Sequence, residues 1–221
     1  MRFGFTDLSR DKDEKLEFGW KNLFLTLWRE LYTLIRANLC FLIFCLPVVT
    51  IPVALTALFG ICVDAIRGQK CQVAKTYLKA LKSQFFQSWG IFLGLAVTEA
   101  VSIVAAWFYF SRENWACGFL GLFAAAVAVV GILMIPYCFC MLARVDLPFP
   151  ETVKNAFLLS FLNVKFNICG AVLSMALLLI LGLWWLYLIP LILLVGIAVP
   201  VYLSSYFTLY GLQKFILTEE L

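Results

Sequence analysis

The chain has 221 residues, of which 64% are hydrophobic and 14% charged, with 17 basic against 13 acidic side chains and no histidine. A soluble domain is about 45–50% apolar, so this composition, with a mean hydropathy of +0.98, excludes a fold coated by polar surface and makes lipid the solvent for much of the molecule. The missing histidine removes the commonest general base and metal ligand, which disfavours hydrolytic and metal-dependent chemistry; no cofactor and no metal site is predicted.

In chain order, residues 1–36 are a mixed-charge amphipathic segment, and 16–35 predicts a helix continuous with the first span. The segment lacks the short apolar core and small-residue cleavage site of a secretory signal, so insertion is expected to rest on the spans themselves. The uncharged run 37–63 follows. Pro47 and Pro52 each remove a backbone donor and strain the preceding turn. The run therefore reads either as one kinked helix or as a hairpin of 37–46 and 51–66 turning around Thr50.

The basic residues choose between these, because Lys and Arg near span ends favour the cytoplasmic side. With the hairpin there are six crossings and both termini face inward. The inner side then holds Arg2, Arg10, Lys12, Lys15, Lys21, Arg29, Arg36, Arg67, Lys70, Lys75, Lys79, Lys82, Arg144, Lys154, Lys165 and Lys214, and the outer side only Arg112, a split of sixteen to one. With a single kinked helix the split is eight to nine and carries no orientation. The hairpin is preferred, although 51–66 is short at about 24 Å. Asp64, three residues before Arg67, is expected to pair with it on the helix surface.

Residues 71–86 place Lys75, Lys79 and Lys82 on one face and Tyr77, Leu78, Leu81 and Phe85 on another, the pattern of a helix lying among lipid headgroups. Beyond it, 89–110 reads as a span. Glu99 falls near its middle, where an acid costs several kcal/mol and usually faces a bundle interior or a water-filled cavity. Thr98 and Ser102 flank it as parts of a candidate polar seam. Two readings stand: a ligand, cation or proton site, or a protonated acid hydrogen-bonded to a neighbouring helix. No cation is predicted at the same depth. Gly90 and Gly94 have a spacing that suits close helix packing.

Residues 116–143 form one long span, with Pro136 as a candidate kink. Arg144 and Asp146 follow as boundary charges, expected to pair with each other or with Lys154, and 150–161 predicts a second interfacial helix with Pro150 in its first turn. The last run, 166–213, holds forty-eight residues without a formal charge. A crossing needs about 20 residues, so Pro190 is read as dividing two spans, 167–188 and 190–210. Trp107, Tyr109, Trp115, Trp184, Trp185 and Tyr187 fall near the outer interface, and Trp20, Trp28, Trp89, Tyr206 and Tyr210 near the inner one, as aromatic belts do. The eight cysteines form no CxxC pair and read as small buried hydrophobes rather than as a disulfide framework.

The expectation is an all-α polytopic bundle forming a single membrane domain, 1–221. Its basic inner face (Arg67, Lys75, Lys79, Lys82, Arg144) suits anionic lipids or a partner, and nothing in the sequence suggests nucleic acid. Asn38-Leu-Cys-Phe-Leu-Ile-Phe-Cys-Leu-Pro-Val-Val-Thr50, Ala57 and Arg67-Gly68 resemble the opening signature of the YesL-like family of bacterial membrane proteins, a domain of unknown function. The segment from Tyr77 to Phe86, Pro136-Tyr137, Leu142-Ala-Arg-Val-Asp-Leu-Pro148 and Asn155-Ala156-Phe157 resemble its later parts, while Ile51 stands where the family commonly has glycine. The resemblance implies a non-enzymatic accessory role beside carbohydrate or solute uptake, within a transporter complex, and no catalytic residue. A small transporter or channel using Glu99 is the alternative reading, and an intramembrane enzyme ranks last.

Overall fold

The computed structural model describes residues 19–69, 71–112, 114–144 and 147–216, and among these it contains ten α-helices and no strand. They are α1 (Trp20–Arg29), α2 (Leu31–Cys45), α3 (Ile51–Ile66), α4 (Val73–Ser83), α5 (Phe85–Phe110), α6 (Trp115–Arg144), α7 (Phe149–Leu162), α8 (Val164–Leu183), α9 (Trp185–Val195) and α10 (Ala198–Ile216). The continuous helix predicted at 16–35 is interrupted at Glu30, although Glu30 N–H donates to Thr26 O and Leu34 N–H to Glu30 O across the break; residues 16–18 lie outside the described part.

Helix α3 is the axis of the fold. From Pro52 to Ile66 every residue except Leu55 is buried. A helix buried on this scale is enclosed by protein on all sides, and α2, α4, α5, α6 and α10 all pack on α3. The run 37–66 is thus the proline-broken hairpin, not one kinked helix: α2 packs along α3, Pro47 follows α2, and Pro52 sits in the first turn of α3. In that turn the missing N–H would have had no helical partner anyway.

Helices α5 and α6 form a long antiparallel pair. Gln84 Nε2 donates to Leu142 O (2.8 Å) at one end, and the Phe110 ring lies against Gly121 at the other. Their 26 and 30 residues correspond to about 39 and 45 Å, more than a ~30 Å hydrocarbon core requires. Most of their surface is exposed apolar side chain, including Val97, Val101, Trp107, Trp115, Phe119 and Phe123. In water such a surface would aggregate; in a bilayer it is the ordinary lipid face.

Four helical stretches are long and apolar enough to cross a membrane, Val48–Ile66, α5, α6 and α8, and α9 with α10 supplies a fifth bent by 59°. The chain is a multi-pass helical membrane protein. The predicted span 37–46 appears as α2, whose 15 residues fall below the ~20 needed for a crossing.

Pro190 does not divide the last two spans. It lies inside α9, and the non-helical residue that ends α8 is Trp184. The physical reason is length: by Leu183 the 20 residues of α8 have covered about 30 Å, and Trp184, Trp185 and Tyr187, all more than half exposed, mark an interface. Helix α10 then runs back along α8. Gly170 faces Phe207, Gly211 faces Asn163, and Ser174 Oγ donates to Pro200 O (2.9 Å).

The two predicted interfacial helices are α4 and α7. Helix α4 is keyed to the core by Val73, Tyr77 and Ala80. The Tyr77 hydroxyl donates to Ala37 O (2.9 Å), and its ring stacks on Phe44 (5.2 Å). Leu78, expected on the same apolar face as Tyr77, is exposed instead, because the i, i+4, i+7 stripe starting at Val73 takes the buried side. Helix α7 rests Phe149 on Gly90 and buries Ala156. Gly94 has open space beside it, so only the first member of the glycine pair serves close packing. Removing the hydroxyl in Tyr77→Phe leaves the Ala37 carbonyl without that donor. The expected result is a loss of about 1 kcal/mol, read as a lower midpoint in denaturant unfolding of the detergent-solubilised protein.

Candidate functional site

Three polar constellations interrupt the apolar interior. The first is at the end of the bundle that carries α4. Asp64, one turn before the end of α3, is 8% exposed and forms an ion pair with Arg144 at the end of α6; Arg144 Nη2 also donates to Gly60 O (2.6 Å). The expected surface pair with Arg67 is replaced by this bridge between helices. The reason is burial: a carboxylate shielded on this scale is costly unless a cation and donors meet it, and Arg144 offers a planar fork that serves the carboxylate and a helix carbonyl together. Arg144 is thus half-buried, its guanidinium turned to Asp64 while part of its side chain stays exposed at the end of α6. Asp146, its other expected partner, lies outside the described residues. Arg67 is half-buried as the residue capping α3, and Arg29 approaches Gly68, whose φ of +67° suits glycine. Lys75, Lys79 and Lys82 are all exposed along α4, as their spacing predicts. Lys70 and the first eighteen residues lie outside the described part, as does the side chain of Lys214.

Cys71 sits at the rim of this cluster, its Sγ 3.3 Å from Thr76 Oγ1. Burial raises its thiol pKa; the Thr76 hydroxyl draws it back, and Asp64 adds to the rise. The thiolate is the reactive form, so alkylation of Cys71 by a maleimide at pH 7 is expected to run slower than that of an exposed cysteine. Its rate should climb through a pH range above the ordinary thiol range, as followed by mass spectrometry across a pH series.

The second constellation is Glu99. It points from α5 against Gly131 of α6, where any side chain would overlap Oε1. Both carboxylate oxygens are buried with no hydrogen-bond partner among the described residues. Ser102, one turn on, is buried, while Thr98 is exposed and its hydroxyl returns to Gly94 O (2.8 Å) on its own helix. The expected seam thus contains Glu99 and Ser102 but not Thr98. Gly131 is the residue sequence reasoning missed: its lack of a side chain leaves room for the Glu99 carboxyl group.

The third went unread in the sequence beyond its place in the family signature. Asn38, fully buried on α2, meets the break between α9 and α10. Its Nδ2 donates to Ile192 O (3.1 Å) and Leu193 O (2.8 Å), and its Oδ1 accepts from Ile197 N–H and Ala198 N–H (both 3.0 Å). An amide has two donor hydrogens and two acceptor sites, and all are used. The signal was present: one asparagine in the charge-free run 37–63. Sequence spacing offered no hint of its partner, some 155 residues away. Asn38→Leu is expected to cost about 3 kcal/mol or more, since each buried group left unpaired costs about 1–3 kcal/mol. Size-exclusion profiles after a heating series would show it as a fall of many degrees in the temperature of aggregation.

The turning points are ordered in the same way. Thr50 N–H donates to Pro47 O (2.9 Å), and the Thr50 hydroxyl lies between the carbonyls of Phe44 and Pro47, sharing its proton with them. All eight cysteines are free thiols, and among the described residues no group of three Cys, Asp or Glu side chains converges to hold a metal ion.

A family model described as a protein of unknown function, DUF624, matches residues 34–106, the stretch from α2 to α5. No curated protein and no solved structure matches the chain.

Proposed function

We propose that this chain is a non-enzymatic accessory component of a solute-uptake assembly in a bacterial cell membrane, of the YesL-like kind, with both termini cytoplasmic. The single observation that carries the reading is the construction of α4. Its Val73, Tyr77 and Ala80 edge is locked into the core while Lys75, Lys79 and Lys82 stand free in solvent. A helix that only marked topology would not need a rigid mount; a docking face gains from one, because pre-ordered groups lose less entropy on binding. The match of residues 34–106 to a domain of unknown function supports a shared module, and the resemblance of the Asn38–Thr50 signature adds carbohydrate uptake as the setting. Anionic lipid headgroups would meet the same lysines when no partner does.

The test is co-purification from native membranes in mild detergent, comparing the unmodified chain with Lys75→Glu/Lys79→Glu/Lys82→Glu. A membrane transport component is expected to accompany the unmodified chain and to be lost, by at least tenfold, from the triple variant. Recovery of both chains alone would remove the accessory reading.

A second reading, a small transporter or channel, is favoured by one observation: the buried carboxylate of Glu99 without a partner. Against it, α5 holds no other Asp, Glu, Lys or Arg and α6 holds only Arg144, at its end, whereas a conduction path needs a series of polar groups. Flux into proteoliposomes that disappears in Glu99→Gln would establish this reading; absence of flux in both proteins is expected.

A further inference from the structure

We propose that α2 and α3 form a hairpin that does not cross the membrane. Its tip, at 46–50, stays at the basic side of the bundle instead of emerging on the opposite face.

Depth is the first ground. Gln84 and Leu142 mark the basic end of the α5–α6 pair. Only five residues later, Trp89 Nε1 donates to Val49 O at the hairpin tip (2.8 Å), and beside it Ser88 Oγ lies 2.9 Å from Thr56 Oγ1. The tip therefore lies against the first turns of α5. Phe110, at the other end of α5, is twenty-one residues further on, about 32 Å at 1.5 Å per residue. The reach of one indole side chain is a small fraction of that distance. Beyond the tip, α5 and α6 continue with Val97, Val101 and Val104 exposed, unaccompanied by α2 or α3.

The chemistry of the tip is the second ground. Leu46, Val48 and Val49 are 81%, 70% and 57% exposed, and no charge occurs from Ala37 to Val63. At a membrane boundary, non-helical backbone is served partly by protein and partly by water. Here Pro47 and Pro52 contribute no N–H. Thr50 serves the Phe44 and Pro47 carbonyls, Ile51 N–H serves Val48 O, and Trp89 serves Val49 O. The α5–α6 turn at the far end is built differently, with Ser111 and Arg112 exposed and Arg112 laid over the Phe108 ring. That turn exposes a charge, whereas the tip at 46–50 exposes only apolar side chains.

On this topology the complete crossings are α5, α6, α8 and the bent α9–α10. Their number is even, so the gathering of cations at one end survives unchanged. The bend of α9–α10 also acquires a cause: the return span breaks where it meets Asn38 on the wedge.

Two measurements decide it. In a background with the native cysteines changed to alanine, Val48→Cys and Ser111→Cys are each exposed to an impermeant maleimide on one face of sealed vesicles, then on the other. Ser111→Cys is expected to react at the far face, and Val48→Cys at least tenfold more slowly there. Equal reaction of both from that face would overturn the proposal. In case the cysteine-free chain does not fold, the unmodified protein carries two native reporters, Cys45 beside the tip and Cys117 at the far end of α6. Cys117 is expected to react from the far face and Cys45 at least tenfold more slowly there, and equal reaction from that face would overturn the proposal as well.

Discussion

In hydrocarbon a backbone group without a partner has no water to turn to, and Asn38 shows how far this constraint shapes the molecule. One side-chain amide satisfies two carbonyls at the end of α9 and two N–H groups at the start of α10. It makes a 59° break in a membrane helix tolerable. It also fastens the first hairpin to the last helix, so that residues far apart in the chain fold as one unit. The same rule recurs wherever a helix stops or bends. Asn167 Nδ2 donates to Leu133 O (3.0 Å) in the turn that Pro136 interrupts, Ser174 reaches Pro200 O, and Thr50 and Trp89 serve the hairpin tip. Because lipid tails are as apolar as leucine, these polar contacts and close packing hold the helices together in place of the hydrophobic effect.

The two acids of the interior illustrate opposite solutions to the same cost. Asp64 lies near a helix end, where Arg144 can reach it while remaining half in contact with the interface. The pair joins the most buried helix, α3, to the longest, α6, and its arginine also takes up a carbonyl of α3. Breaking such a pair by removing one partner is costly, about 3–5 kcal/mol, because the remaining charge stays behind. Glu99 has no such neighbour. It is accommodated sterically by Gly131 and not electrostatically, and it lies between two helices that touch little else along their far halves. A group in that position affects the α5–α6 pair far more than the packing of the rest.

What the sequence by itself determined was set by composition and period. Apolar runs long enough for lipid, interrupted in α5 only by Glu99, predicted α5, α6 and α8. Prolines five apart predicted a break, as a kink or as a hairpin, and lysines at i, i+4 and i+7 predicted the exposed edge of α4. These are local properties, each legible from residues within a turn or two. Only the tertiary structure decided which polar residue meets which. Asp64 takes Arg144 and not Arg67, Asn38 takes the α9–α10 break, and Ser102 but not Thr98 is buried one turn from Glu99. The chain turns at Trp184 because α8 has by then used up the thickness of the membrane, and Pro190, the more conspicuous residue, is carried inside a helix. Hydrogen bonds and ion pairs between helices join residues whose separation along the chain is unrelated to their separation in space. A pattern with a period of 3.6 residues tells which face of a helix turns inward, and nothing about the helix it will meet there.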